Sequence, residues 1–191
     1  MRVNIKFTIP HNKGFTLVEA LVAISILSLS IAATFTAVQS GIQNSTIAKD
    51  QTIAFNLSQE AIEFIKNIRD ENGLHSVDGT TVNWLASISG SASDPCYFGK
   101  VCEIDSPLKT VTSCGSASIT GSPPNLCPNI RQDPVTGLYG YNSGWAVTNF
   151  KREIQLQQIS ADEASVVISV SWTSRAGSRY FQAVETLFNH Q

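Results

Sequence analysis

The sequence predicts an α+β chain: a long N-terminal α-helix packed against a C-terminal antiparallel β-sheet of about three or more strands, with a loop-rich, disulfide-stapled insert between them. Three observations predict it. Residues 14–38 form one apolar run with a single charge, Glu19. Ile53, Leu57, Ala61, Phe64, Ile65 and Ile68 recur at three- and four-residue steps, the spacing of one helix face. Val166, Ile168, Val170 and Trp172 alternate with Ser165, Ser169 and Ser171, the period of a strand with one buried face.

The apolar run comes first. It is close to membrane-spanning length, and no charge other than Glu19 falls between residues 14 and 48. An acidic side chain near the bilayer core costs ~2.5–3.5 kcal/mol. A plain anchor has no reason to carry that cost, whereas a helix that must later pair with a neighbour does. Past Val38 the composition turns polar, with Gly41 the one soft point, and the apolar residues narrow to the stripe ending at Ile68. Glu63 and Lys66 can pair across one turn on its exposed side. Asn72-Gly73 is a natural stop. Phe15 to Glu71 would then be one helix of about 85 Å at 1.5 Å per residue. Its first half is apolar all round, and its second half needs a globular domain to cover one face.

Residues 73–145 hold nine of the twelve glycines, six of the seven prolines and all four cysteines. Asp78-Gly79, Asp94-Pro95, Pro123-Pro124 and Asp133-Pro134 mark turns. Six aromatic residues (Trp84, Tyr97, Phe98, Tyr139, Tyr141 and Trp145) argue against a disordered linker. The segment reads as loops and short strands. Cys96, Cys102, Cys114 and Cys127 are an even set on the predicted outer side of a membrane and read as two disulfides. Closure between nearest neighbours gives Cys96–Cys102 and Cys114–Cys127, but three pairings are open. Zinc is the weaker reading, since there is no CxxC and no nearby histidine.

From Ala146 the pattern is β. Phe150, Ile154 and Leu156 share a parity into which Arg152 intrudes, so Arg152 needs an acidic partner or a helix end. Ser174 to Ser178 reads as a hairpin loop and Tyr180 to Phe188 as a further strand. The sheet, residues 146–191, would cover the helix stripe. The domain reading is a leader at 1–14, an apolar helix at 15–38, its amphipathic continuation at 39–72, the insert at 73–145 and the sheet at 146–191, with 39–191 as one globular unit.

Lys13-Gly14-Phe15-Thr16-Leu17-Val18-Glu19 resembles the prepilin signature of type IV pilins and type II secretion pseudopilins. That pattern is a short basic leader, Gly, an aromatic residue or Met, Thr-Leu-Val/Ile-Glu, and an apolar helix. The resemblance implies cleavage by prepilin peptidase between Gly14 and Phe15, N-methylation of the new Phe15 amine, and assembly with other pilin or pseudopilin subunits. It implies that Glu19 neutralises the Phe15 amine of an adjacent subunit. Many pilins carry a proline partway along the apolar half, where this chain has Thr36. A C-terminal sheet on the helix also resembles minor pilins and pseudopilins.

The basic leader places residues 1–14 in the cytoplasm and the rest outside, single-pass in the cytoplasmic membrane and then in an extracellular or periplasmic filament. Loss of residues 1–14 removes Arg2, Lys6 and Lys13 and no acid, so the charge falls from −2 to −5 (ten basic, fifteen acidic). No Lys/Arg run remains, which argues against a nucleic-acid binder. His11, His75 and His190 stand alone, and no catalytic set can be built from them. No cofactor is expected. Asp133 to Gly137 reads as a turn rather than a cation loop. The leading function is a structural filament subunit, of minor rather than major type. The alternatives are a non-polymerising, membrane-anchored binding or adhesion module and, weakest, an anchored hydrolase.

Overall fold

The computed structural model describes residues 14–77, 79, 82–121, 123–174 and 177–189. The basic leader with His11, and His190, lie outside the described residues. The chain divides into two compact units, Met1–Thr46 and Ile47–Gln191, and each is described by itself.

One α-helix, α1 (Leu17–Val77), begins in the first unit and continues into the second. It overruns the expected stop at Asn72-Gly73. The Asn72 side chain is buried and its amide donates to the carbonyls of Trp84 and Ala86, each at 3.2 Å. Asn72 therefore anchors the following loop instead of capping the helix. Gly73 in a helix interior costs only about 1 kcal/mol relative to alanine.

In the second unit α1 lies on one face of a seven-stranded antiparallel sheet. The strands are β1 (Lys100–Asp105), β2 (Thr110–Ser116), β3 (Asn129–Gln132), β4 (Tyr139–Gly140), β5 (Ala146–Gln158), β6 (Glu163–Ser174) and β7 (Gly177–Phe188). The last three form the expected meander, in register from Phe150↔Trp172 to Gln158↔Ala164 and from Glu163↔Phe188 to Ser174↔Gly177. Arg175 and Ala176 of the expected Ser174–Ser178 loop lie outside the described residues. The insert contributes more than loops: its four short strands join the same sheet. The edge of β5 opposite β6 is shared. β3 takes its first half (Asn129↔Lys151, Gln132↔Ala146), and β1 pairs further on at Cys102↔Ile154 and Val101↔Gln155.

The core forms where the helix stripe meets the sheet. Leu57, Ala61 and Ile65 are buried, joined by Ala54, and Ile53, Phe64 and Ile68 pack at the margin. They meet Ile154, Leu156, Ile168, Val170 and Trp172. Full burial of one such aliphatic side chain is worth about 1.5–3 kcal/mol. The opposite face of the sheet carries a smaller cluster of Val101, Ile119, Cys127 and Val167.

The disulfides are Cys96–Cys102 and Cys114–Cys127, each with Cα atoms 5.2 Å apart. Cys96 and Cys102 belong to the helix-side core, whereas Cys127 and Cys114 belong to the cluster on the other face. Each bridge thus ties part of the insert to a different side of the sheet.

Two expected contacts resolve differently. Lys66 pairs with Glu185 of β7 at 2.9 Å rather than with Glu63, joining helix to sheet. Arg152 meets an acidic residue, as expected, but its helix partner is a carbonyl in the middle of α1 and not a helix end. Its Nη1 donates to the Leu57 carbonyl at 2.9 Å and lies 3.7 Å from Glu60, and its Nη2 donates to the Ile104 carbonyl at 2.5 Å.

Candidate functional site: the N-terminal helix and its cap

The helix starts because Thr16 caps it. The Glu19 backbone N–H donates to Thr16 Oγ1 at 3.3 Å, and Ala20 N–H donates to the Thr16 carbonyl at 3.1 Å. Threonine at this position satisfies one of the four N–H groups that a helix start leaves unpaired. Glu19 sits in the first turn, where the positive end of the helix dipole favours a carboxylate. Thr16-Leu17-Val18-Glu19 is thus also a capping-box sequence. In the sequence Thr16 stands out only as part of the seven-residue signature and not as a cap, although the Thr-x-x-Glu spacing ahead of an apolar run is the signal for one.

Gly14, Phe15 and Glu19 are all exposed, with Phe15 at 74%. A Cβ added at Gly14 meets nothing within 4 Å, and its backbone lies outside the left-handed region that favours glycine. Among the described residues, neither packing nor conformation requires glycine there.

Beyond the cap, every Leu, Ile, Val and Phe from Phe15 to Ile42 is more than half exposed. The helix contains an 18-residue window of mean hydropathy 2.2 with none of it buried, so it is long and apolar enough to cross a membrane. Its hydroxyls are provided for internally. Ser25, Ser28 and Ser30 donate to the carbonyls four residues back at 2.8 Å, and Thr34 and Thr36 donate to carbonyls of the preceding turn. A hydroxyl satisfied within its own helix loses little on entering hydrocarbon.

The remaining candidates sit apart from this segment. All four cysteines are in disulfides, so the cluster of Glu103, Cys114 and Cys127 offers no thiolate to a metal. His75 is exposed in the last turn of α1. Asp133 makes a turn, its carboxylate accepting from Val135 N–H at 3.0 Å and from the Thr136 hydroxyl. Those bonds hold its pKa below the usual value. Glu103 is the unusual acid: burial, and then the nearby Asp105 carboxylate, raise its pKa from 4.5 to about 7, with Arg152 opposing. Burial likewise pushes the Tyr141 hydroxyl well up.

Residues 9–35 match the family model described as the prokaryotic N-terminal methylation motif. That motif is the type IV pilin and pseudopilin signature, and it points to a structural rather than a catalytic protein. No curated protein and no solved structure matches the chain.

Proposed function

We propose that this chain, which carries the N-terminal methylation motif, is a structural subunit of a type IV pilus or of a related secretion pseudopilus, of minor type. Prepilin peptidase cleaves between Gly14 and Phe15, and the new Phe15 amine is methylated. Before assembly the apolar half of α1 holds the chain in the cytoplasmic membrane with the sheet outside. In the filament the same surface packs against the helices of other subunits.

One observation carries this reading: the segment from Phe15 to Ile42 exposes all its large apolar side chains around a single ionisable group, Glu19. A surface of this kind needs lipid or other helices around it. Inside a helical bundle an unpaired carboxylate is strongly unfavourable and a matched pair far less so. Glu19 therefore acts as a register device, since only one axial placement brings it to the Phe15 amine of a neighbour. Gly14 fits the same reading, because a glycine without a structural demand is explained by a peptidase that accepts no side chain there.

The test is to shear and purify filaments and sequence the N-terminus of this chain within them. Methyl-phenylalanine followed by Thr-Leu-Val-Glu is the expected result. A chain that stays in the membrane fraction with its Met1 end intact would leave only the non-polymerising anchored module.

A further inference from the structure

The sheet face turned away from α1 holds a groove of about 520 Å³, lined by Asn125, Asn129, Asn149, Lys151, Ser171 and Tyr180 among others. A volume of that size takes a ligand of a few rings. Its floor is a row across four strands. Asn129 of β3 pairs with Lys151 of β5, Lys151 with Ser171 of β6, and Ser171 with Tyr180 of β7. Directly opposed residues of antiparallel strands project to one face with Cβ atoms about 4.5–5.5 Å apart. The row therefore presents an amide oxygen (Asn129 Nδ2 is taken by the Thr148 carbonyl at 2.8 Å), an ammonium, a hydroxyl and an aromatic ring in sequence over roughly 15 Å. Asn125 closes one wall. It is held in the left-handed region (φ 57°), with the Ser171 hydroxyl 3.4 Å from its Oδ1.

The charge is selective. The chain has fifteen acidic and thirteen basic residues, yet among the described residues the lining includes Lys151 and Arg179 and no carboxylate. Among the described residues Lys151 makes no ion pair. Glu153, two residues along the same face, is committed elsewhere, accepting from the backbone N–H groups of Leu126 and Cys127. Tyr180 stays 51% exposed beside these polar groups. A pyranose ring offers one apolar face to an aromatic ring and a rim of hydroxyls to amides, and a sugar carboxylate would meet the unpaired ammonium.

We infer that this groove binds an acidic oligosaccharide, with Lys151 on the carboxylate and Tyr180 under the sugar ring. The inference is independent of the filament reading, because the groove lies wholly within the unit formed by residues 47–191. The test uses the full chain in detergent micelles on an immobilised panel of uronate- and sialate-bearing oligosaccharides beside their neutral counterparts. Retention on at least one acidic member is expected, at least tenfold above its neutral counterpart. Lys151→Gln and Tyr180→Ala, checked for an unchanged circular dichroism spectrum, should each lower that retention at least tenfold. Silence across the acidic panel, equal retention of a neutral counterpart, full retention by both variants, or displacement by equimolar inorganic phosphate would each overturn it. Membrane insertion and processing at Gly14 are scored on the same preparations, so loss of one reading does not touch the other.

Discussion

Arg152 Nη1 donates to the backbone carbonyl of Leu57 at 2.9 Å, tying the central strand to the middle of the helix stripe. The side chain is 1% exposed and its second Nη holds the Ile104 carbonyl of β1. One guanidinium thus fixes helix, β5 and β1 together at a position where the strand pattern calls for an aliphatic residue. Removing the guanidinium leaves two buried carbonyls without this donor, and each buried polar group left unsatisfied costs about 1–3 kcal/mol. Arg152→Ala should therefore lower the unfolding free energy by about 3 kcal/mol in urea melts of the full chain. Arg152→Lys should recover only part of it, since one ammonium cannot reproduce the planar fork. A loss below about 1 kcal/mol in Arg152→Ala would show that the clamp does not stabilise the fold.

Burial raises Glu103 from 4.5 to about 7, so the folded state holds a proton there that the unfolded chain releases near pH 4.5. Between those values the folded state binds more protons, and stability falls as pH rises through that window. Above about pH 7 the penalty is complete. Glu103 is only half buried, and solvent screening reduces its size to about 1–2 kcal/mol. Glu103→Gln should be more stable than the parent at pH 8 and indistinguishable from it at pH 4. Parallel stability profiles for the two proteins from pH 4 to 8 would contradict this assignment.

The two disulfides differ in shelter. Cys96 and Cys102 are fully buried, while Cys114 is partly exposed. Mild reductant followed by alkylation and peptide mass mapping should label Cys114 and Cys127 before Cys96 and Cys102. Loop closure over 13 residues stabilises by roughly 3 kcal/mol and over 6 by roughly 2. Cys114→Ser with Cys127→Ser should accordingly lower the urea midpoint without abolishing folding. Simultaneous labelling of both pairs would mean that they open only by global unfolding.

Which parts of this architecture the sequence revealed follows from how each is built. Leu57, Ala61 and Ile65 were legible because a helix buried on one face repeats its apolar residues by turn. Val166, Ile168, Val170 and Trp172 were legible because they alternate with Ser165, Ser169 and Ser171, whereas Val167, which breaks that alternation, is buried in the cluster on the other face of the sheet. Arg152 announced itself by breaking parity. The strands β1 to β4 left no such trace. They run to seven residues at most, β1 and β2 shift register between Val101 and Cys102, and β2 is largely exposed. No periodicity builds up over such lengths. Asn72 misled because its side chain serves the tertiary structure, which local turn chemistry does not encode. At the N-terminus, Thr16 was hidden by its neighbours, since the same Thr-x-x-Glu belongs to a processing motif and to a helix cap.

That double meaning can be separated by substitution. If Glu19 serves only the cap, glutamine should replace it, because Gln is accepted at the third position of a capping box. Thr16→Val, which removes the hydroxyl that accepts from Glu19 N–H, should then be the damaging change, at about 1 kcal/mol of helix stability. If Glu19 is the charge that meets a neighbour's amine, the order reverses. Glu19→Gln keeps the cap and the membrane insertion and loses the ion pair, and an amine left unpaired in a low-dielectric bundle is strongly disfavoured. We expect the second order: Glu19→Gln found in membranes at parental levels but at least tenfold depleted from sheared filaments, with Thr16→Val depleted far less. Immunoblots of the two fractions decide it, and parental filament levels of Glu19→Gln would reduce the acid to a helix cap.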